Sequence, residues 1–242
     1  RQAATAIVGG IGLIFAVLTV LRNPTWESNY RLFTTDIQHS PNSAKLRHAV
    51  AGVLTETYGN LPKAQQDQEK AMLAEALGHV NEALRLHPTY KQAYFTKGNL
   101  ANYLRQFDVS INAYNNALRI DPDFEDAHRN LMITYRDAGR YYGEERGELA
   151  KAIGYLEQAY AALPNDAETV RLLGVAYGIS GNNAKATELF TKRTQLEPNN
   201  ARAWYDLGVA HSQAGRPEAA DTAMAKAREL DPEIAQKVRS GQ

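Results

Sequence analysis

The sequence predicts an all-α protein in which about five stacked helix–turn–helix repeats follow one membrane-spanning helix. Three observations support this fold class: prolines recur at a regular spacing, small and large residues recur at fixed places between them, and a long uncharged segment lies near the N-terminus.

Six prolines mark the repeat: Pro41, Pro88, Pro122, Pro164, Pro198 and Pro232. The intervals from Pro88, Pro164 and Pro198 to the next proline of the series are equal, and the other two are the same interval lengthened by an insertion. The shared interval matches the period of about 34 residues that is typical of two-helix repeats stacked into a solenoid. Each proline follows the second helix of its repeat, because proline cannot continue a helix and disfavours helix in the residue before it.

Small residues recur where two antiparallel helices must approach closely. Positions are counted with each proline at position 32 and with the two insertions left out. Position 8 then holds Ala51, Gly98, Met132, Gly174 and Gly208, and position 20 holds Ala76, Ser110, Ala152, Ala186 and Ala220. Position 27 holds Ala83, Ala117, Ala159, Arg193 and Ala227. Large residues recur at position 24, in Val80, Tyr114, Leu156, Phe190 and Met224. Met132 and Arg193 depart from the small-residue pattern, so less regular packing is expected at both.

Residues 3–21 form an uninterrupted run without a charge, between Arg1 and Arg22. As a helix the run is about 28 Å long, close to the ~30 Å hydrocarbon core of a bilayer. A signal peptide is disfavoured because no small-x-small cleavage site follows, and a buried soluble helix because the run has no polar face. We therefore expect residues 1–23 to span a membrane, and the chain, which begins at Arg, to be part of a longer protein.

The span contains two small-xxx-small pairs, Ala6 with Gly10 and Gly12 with Ala16. Such pairs let another membrane helix pack closely, so other transmembrane helices are expected partners. The alternative is that glycine and alanine are simply common in membrane helices.

Residues 24–43 are predicted to form a polar turn and then a single helix that ends just before Pro41. Leu32 and Phe33 fall near position 24 of a half repeat, so this helix is expected to cap the first repeat. Trp26 and Tyr30 lie just beyond the span, where aromatic rings favour the membrane interface.

The repeat pattern resembles the tetratricopeptide repeat (TPR) family over residues 44–234, most clearly in "KQAYFTKGNLANYLRQFDVSINAYNNALRIDPDF" and "ARAWYDLGVAHSQAGRPEAADTAMAKARELDPEI". The resemblance implies a right-handed superhelix that binds protein partners. The expected repeats cover 44–90, 91–124, 125–166, 167–200 and 201–234, followed by a C-terminal cap or tail at 235–242.

Residues 22–46, with W-x-x-N-x-x-L-F followed by P-N-S-A-K, resemble the junction in the transmembrane and tetratricopeptide-repeat O-mannosyltransferase family and its bacterial relatives. Members are multi-pass glycosyltransferases whose last membrane helix leads into repeats on the lumenal or periplasmic side. The family's catalytic acidic residues lie in the multi-pass part, and no position of this chain corresponds to them.

Composition excludes several functions. Lys plus Arg and Asp plus Glu number 27 each, so the formal net charge is zero and no basic block favours nucleic acid. The absence of cysteine excludes a disulfide scaffold and thiol chemistry. The six histidines lack H-E-x-x-H spacing, and no phosphate-binding loop or nucleophile elbow is present. The sequence therefore predicts no catalytic residue, metal or cofactor, and a chain that is not an enzyme.

The TPR resemblance places positions 2, 5, 6, 9, 12 and 13 of each first helix in a concave groove. Those residues are Gln92, Phe95, Asn99, Asn102 and Tyr103 of the second repeat, Asp126, Arg129, Asn130, Ile133, Arg136 and Asp137 of the third, Glu168, Arg171 and Val175 of the fourth, and Arg202, Tyr205, Asp206 and Val209 of the fifth. Amides, rings and guanidinium groups suit an extended peptide; the alternative is a solvated inner face. The carboxylate clamp of chaperone-binding TPR proteins is mostly absent, since Asn99 and Asn130 match but the lysines do not, which disfavours an acidic C-terminal tail as ligand.

Two insertions interrupt the period and are candidate contact sites or neutral variations of length. Residues 58–75 are expected to extend the second helix of the first repeat back to Pro62, and residues 141–149 to form a longer loop. The leading hypothesis is a membrane-anchored TPR scaffold with its repeats on the periplasmic or lumenal side. The alternative is the C-terminal part of a multi-pass glycosyltransferase whose repeats present protein substrates.

Overall fold

The computed structural model describes residues 2–240, without the side chains of residues 2–8, 22, 24 and 25. Within these residues all regular structure is helical. The α-helices are α1 (Gln2–Arg22), α2 (Asn29–His39), α3 (Ala44–Gly59), α4 (Lys63–Gln66), α5 (Lys70–Leu86), α6 (Lys91–Tyr103), α7 (Phe107–Ile120), α8 (Glu125–Arg140), α9 (Leu149–Ala162), α10 (Ala167–Ile179), α11 (Asn183–Leu196), α12 (Ala201–Gln213), α13 (Pro217–Leu230) and α14 (Ile234–Ser240). A 3₁₀ turn (Asn23–Glu27) follows α1 and a π-helical turn (Tyr141–Glu145) follows α8.

The chain divides into two compact units, residues 1–127 and 128–242. In the first unit, α3 pairs with α5 and α6 with α7. Its core contains Val50, Leu54, Leu73, Val80 and Leu100, all buried. These residues recur at helical spacing on facing helices, so each pair buries one apolar stripe.

In the second unit, α10 pairs with α11 and α12 with α13, while α9 packs on α10. The core contains Leu156, Leu173, Phe190, Leu207 and Ala223. Successive helix pairs are joined by turns that contain a proline, and the second helix of each pair ends just before such a turn.

Helix α2 begins at Asn29, after a turn, and ends at His39, just before Pro41. Residues Asn23–Glu27 form a separate 3₁₀ turn, and the extended Ser28 starts a new helix, its hydroxyl oxygen accepting a hydrogen bond from the backbone N–H of Arg31. α2 packs on α3 through buried Ile37 and partly buried Phe33, which join the first core.

The prediction that residues 58–75 extend the second helix back to Pro62 is wrong. Residues Lys63–Gln66 form a separate turn, α4, and α5 begins only at Lys70. The side-chain amide of Gln66 donates a 3.1 Å hydrogen bond to the carbonyl oxygen of Leu61, which links the end of the turn to the residue before Pro62. Glu69, with φ −98° and ψ 17°, interrupts the helical path before α5.

The prediction of a loop at residues 141–149 is also wrong. The first helix of this repeat continues from α8 into the π turn, where the N–H of Arg146 donates to the carbonyl of Tyr141, five residues earlier, at 3.1 Å. α8 has 16 residues and the π turn 5, whereas α6, α10 and α12 have 13 each. The insertion therefore lengthens a helix.

This lengthening explains the departure at Met132. In three repeats a glycine of the first helix faces the large position-24 residue of the second helix: Gly98 faces Tyr114, Gly174 faces Phe190 and Gly208 faces Met224. In the lengthened repeat, Gly139 takes this place, and an added Cβ there would lie 2.3 Å from the Cγ atom of Leu156. The close approach therefore lies two helical turns beyond Met132.

Helix α1 leads into the 3₁₀ turn. Within the residues that the structure describes, no helix is both long enough and apolar enough to cross a membrane. Of the predicted small-residue pairs, the side chain of Ala6 lies outside the described residues. Gly10 and Gly12 have open space where a Cβ would stand, and Ala16 is exposed.

Candidate functional site

A groove of about 290 Å³ lies in the second unit, between the first helices of the last two pairs. Its walls are Val175, Gly178 and Ile179 of α10, and Arg202, Tyr205, Asp206, Val209, Ala210 and Gln213 of α12, with Phe190 of α11 and Val238 of α14 completing the lining. We call this groove the apolar pocket. It brings together five of the residues predicted for the concave face: Val175, Arg202, Tyr205, Asp206 and Val209.

Local sequence explains why these side chains share one groove. Val175 with Ile179, and Tyr205 with Val209, are each four residues apart, so each pair lies on one helix face. Asp166 and Asn200 start the two helices by accepting hydrogen bonds from backbone N–H groups at the N-termini. Val175 is 36% exposed and Ile179 is 72% exposed, so apolar surface remains open to a partner.

Arg193, the predicted irregular residue, lies at the edge of this site. Its side chain is only 7% exposed, and its guanidinium group donates to Asp206 at 2.6 Å and to Glu197 at 3.1 Å. The second oxygen of Asp206 accepts a hydrogen bond from Arg202 at 2.9 Å. A buried ionic contact between α11 and α12 therefore stands where the other repeats place alanine.

Both carboxylate oxygens of Asp206 are thus bound to arginines of the same chain. Its side chain is 12% exposed and contacts two arginines, whereas the Arg202 side chain is 41% exposed and can still reach a partner at the rim of the apolar pocket. The structure assigns Asp206 to the internal ionic contact and leaves Arg202 as the cation of the rim.

The predicted partner-binding charges of the fourth repeat also pair with each other. Arg171 donates two hydrogen bonds of 2.8 Å to Glu168 and lies 3.8 Å from Glu144 of the π turn. The hydrogen bonds from Arg171 lower the pKa of the Glu168 carboxyl group. Both residues lie outside the lining of the apolar pocket.

Arg136 makes a similar contact at the start of α10, 3.5 Å from Asp166. Burial alone would raise the pKa of Asp166, but the hydrogen bonds from Thr169 and the charge of Arg136 outweigh it and lower that pKa. The Nε atom of Arg136 is buried and has no hydrogen-bond partner within the described part of the chain.

The other predicted residues of the third repeat are Asp126, Arg129, Asn130 and Ile133, on α8. Asp126 and Arg129 are exposed, Asn130 and Ile133 are half-buried, and none of them lines the apolar pocket.

In the first unit the predicted residues form an aromatic and amide cluster. Phe95 packs against Tyr114 and Phe124, with ring centroids 5.9 and 5.1 Å apart. The Oδ1 atom of Asn99 accepts a 2.6 Å hydrogen bond from the Tyr114 hydroxyl. Tyr103 is 48% exposed, and the Oδ1 atom of Asn102 is buried with no hydrogen-bond partner in residues 2–240. The oxygen of Asn99 therefore supports the packing of α6 on α7.

His48, to which the sequence analysis gave no role, joins α3 to α6. Its Nε2 atom is 2.9 Å from the Thr96 hydroxyl and its Nδ1 atom 3.2 Å from the Tyr90 hydroxyl. Burial lowers the pKa of His48, against a smaller opposing effect of a backbone hydrogen bond with Gln92. The ring is therefore neutral near pH 7.

Ile179, Phe190 and Val238 were not predicted for the site. Ile179 could have been found, because it stands one helical turn after Val175. Phe190 was assigned to packing only. Val238 lies in the expected C-terminal tail, outside the repeat pattern, and reaches the site because that segment forms α14. In the described part of the chain, no group of three or more His, Asp or Glu side chains is arranged to hold a metal ion.

Comparisons with known proteins agree with this architecture. Sequence profiles of the tetratricopeptide repeat match residues 91–124 and 179–239. No curated protein matches the sequence. The crystal structure of YrrB, a TPR protein with an unusual peptide-binding site, matches with a TM-score of 0.53 and 22% identity over 86% of this chain and 97% of that chain.

Two structures of MamA match less closely. The crystal structure of MamA protein gives a TM-score of 0.48 at 20% identity, over 76% of this chain and 96% of that chain. MamA 41-end from Desulfovibrio magneticus RS-1 gives 0.44 at 21% identity, over 74% and 96%. The two repeat profiles and the YrrB fold agree on the same paired helices. The chain therefore contains tetratricopeptide repeats in the all-helical, solenoid-like scaffold fold that such repeats build, rather than an enzyme fold.

Proposed function

We propose that this chain is an interaction scaffold whose apolar pocket holds a large apolar side chain of a partner peptide. The observation that carries the proposal is the open apolar surface of Val175 and Ile179 opposite Tyr205 and Val209, over the Phe190 ring. A merely solvated inner face is expected to be polar, whereas here Val175 and Ile179 leave apolar surface exposed.

The size of the apolar pocket suits one anchoring residue. About 290 Å³ is near the lower end of the ~300–1,000 Å³ range of ligand sites. Burying about 100 Å² of apolar surface there contributes about 2.5 kcal/mol. Arg202 at the rim can bind a backbone carbonyl or an acidic side chain next to the anchor.

The test is selection of peptides from a random library on the full chain. We expect the selected peptides to share one large apolar residue. Replacing Ile179 and Val209 together by Asp should weaken them at least about tenfold, since a buried unpaired carboxylate costs more than about 1.4 kcal/mol. The matched control is Leu163→Asp, an exposed apolar residue of the same unit outside the pocket, which should leave affinity unchanged. Equal weakening by the control would refute the pocket.

We further propose that residues 1–23, whose side chains before residue 9 lie outside the described part of the chain, anchor the protein in a membrane, with the repeats on the periplasmic or lumenal side. The exposed large apolar side chains of α1 cover most of the helix circumference, and the rest is covered by the small uncharged residues Gly12, Ala16 and Thr19; the large residues are Ile11, Leu13, Ile14, Phe15, Val17, Leu18, Val20 and Leu21. A helix that is apolar all round is suited to lipid or to a protein core. Trp26 and Tyr30, both exposed, follow at the position of an interfacial belt.

The glycosyltransferase alternative depends on residues 22–46 alone, which neither repeat profile covers. It stays a prediction, and the reading frame upstream of Arg1 decides it. Several further apolar spans with an acidic pair in the first external loop would favour the enzyme, and a start codon close to Arg1 would exclude it.

A further inference from the structure

A second cleft, of about 630 Å³, lies on the solvent side of α11. Lys192 and Gln195 of α11 line it, with Tyr160 of α9 on one side and His211 and Arg216, at and beyond the end of α12, on the other. The apolar pocket uses Phe190, on the core side of the same helix, so the two sites are separate. We call the second site the polar cleft.

The cations of the polar cleft lack carboxylate partners. The Lys192 ammonium group lies 3.2 Å from the Tyr160 hydroxyl and 5.0 Å from the ring centroid, and it contacts no acidic group among the described residues. The Arg216 guanidinium group makes no hydrogen bond or ion pair within residues 2–240. Elsewhere in the unit, Arg171 and Arg193 are each bound to carboxylates. Lys192 and Arg216 are therefore two cations of one cleft that form no ion pair with a carboxylate of the described residues.

The imidazole of His211 belongs to the same wall. Its Nδ1 atom is buried and has no hydrogen-bond partner among the described residues. Burial, assisted by the charge of Arg216, lowers the pKa of His211. The ring is therefore neutral near pH 7, and its buried Nδ1 atom is out of reach of a ligand in the cleft, so His211 adds no charge there.

One acidic side chain, Glu188, lines the polar cleft and is outnumbered by Lys192 and Arg216. Gln195 supplies an amide donor at the same wall. We propose that the polar cleft binds an anionic side chain of a partner peptide, either a phosphorylated residue or an aspartate or glutamate. The recognising chemistry is the same in both cases: an oxyanion meets two cations and an amide.

A peptide suits this site better than an anionic membrane surface. The cleft is recessed, and Glu188 within it would repel a uniformly negative surface, whereas a single anionic side chain can enter beside it. Lysine and arginine on an open, acid-free face would be expected for lipid headgroups.

The test uses the full chain in non-ionic detergent and three fluorescent peptides of neutral background, with phosphoserine, glutamate or alanine at the centre. Anisotropy is measured up to about 1 mM chain. We expect the phosphoserine or the glutamate peptide, or both, to bind at least tenfold more tightly than the alanine peptide, and inorganic phosphate to compete. The arm that binds more tightly identifies the source of the anion.

Variants locate the site. Lys192→Gln with Arg216→Gln should weaken binding about tenfold or more, because hydrogen bonds to charged groups are lost. Glu188→Gln should strengthen it about two- to threefold by removing the repelling charge. The matched control is Lys226→Gln with Arg228→Gln, the same change of charge on exposed residues of α13.

Three results would overturn the proposal: an alanine peptide that binds as tightly as the anionic ones, a control double variant that loses as much affinity as the cleft variant, or binding only to vesicles that contain phosphatidylserine. All substituted residues are at least partly exposed, and unchanged urea midpoints would confirm that each variant is folded.

Discussion

The contact between Arg193 and Asp206 gives the sharpest prediction about stability. Replacing Asp206 by Ala leaves the guanidinium group of Arg193, whose side chain is 7% exposed, without its shortest partner. Removing one member of a buried ion pair costs about 3–5 kcal/mol. Arg193 keeps Glu197 at 3.1 Å, so we expect the lower end of that range, a loss of about 3 kcal/mol in the free energy of unfolding.

A double variant separates the charge from the packing. Arg193→Ala combined with Asp206→Ala removes both charges and restores the alanine found at position 27 of the other repeats. Its loss should be at most about half that of Asp206→Ala, since no unpaired charge stays buried. Arg202→Ala, which removes the exposed partner of the same carboxylate, should cost less than about 1 kcal/mol.

The assay is urea unfolding followed by tryptophan fluorescence. The chain has two tryptophans, so a Trp26→Phe background leaves Trp204 as the single reporter. Trp204 packs against the core of the second unit and donates a 2.8 Å hydrogen bond to the carbonyl of Pro198, so it reports unfolding next to the ion pair. The reasoning fails if Asp206→Ala costs less than about 1 kcal/mol, or if the double variant is less stable than the single one.

Three further predictions concern other parts of the chain. Gly139→Ala should destabilise the second unit by about 1–3 kcal/mol, because its Cβ would collide with Leu156 of the facing helix. Gly154→Ala, where a Cβ meets open space, should instead stabilise the unit by about 0.5–1 kcal/mol. The urea midpoints of the two variants check both predictions. Replacing Ile14 and Leu18 by Arg should release the chain from liposomes in a flotation assay, since each Arg costs about 2.5–3.5 kcal/mol in a membrane helix; retention in the lipid fraction would contradict the anchor. The pKa of His48 is lower in the folded chain than its ordinary value of 6.5, so the unfolded chain takes up the proton first as the pH falls. The contribution of His48 to the free energy of unfolding is therefore fully present above pH 6.5 and is lost below it. His48→Gln should flatten the fall in urea midpoint between about pH 7.5 and pH 5.5, and an equal fall in both proteins would contradict this.

Helix contacts were predictable from the sequence wherever the two helices of a repeat are joined by a short turn. Gly98, Gly174 and Gly208 each face the large residue that stands the same number of residues later. With a turn of constant length, that number of residues always leads to the facing position on the second helix. The rule failed at Met132. An insertion can enter a loop or a helix, and counting from the preceding proline cannot distinguish these cases. Counting back from the large residue, Leu156, leads to within one position of Gly139 and would have found it.

The apolar pocket was predictable in part for the same reason. Val175, Tyr205 and Val209 follow from the positions that the TPR resemblance assigns to the concave face. Pairings such as Arg193 with Asp206 depend on side chains of different repeats, which no spacing within one repeat reveals. Val238 reaches the site from outside the repeat pattern.

The extra length of the third repeat's first helix places Glu144 beside Arg171, where it helps to neutralise a charge of the following repeat. With these charges paired inside the unit, its two sites offer a partner different groups: apolar side chains in the apolar pocket, and cations in the polar cleft. Added salt screens exposed charges beyond about 10 Å at ~0.1 M but leaves apolar burial intact. Raising the ionic strength from about 0.05 to about 0.5 M should therefore release a ligand of the polar cleft while the apolar pocket keeps its own. A simple salt series can thus separate the two kinds of partner.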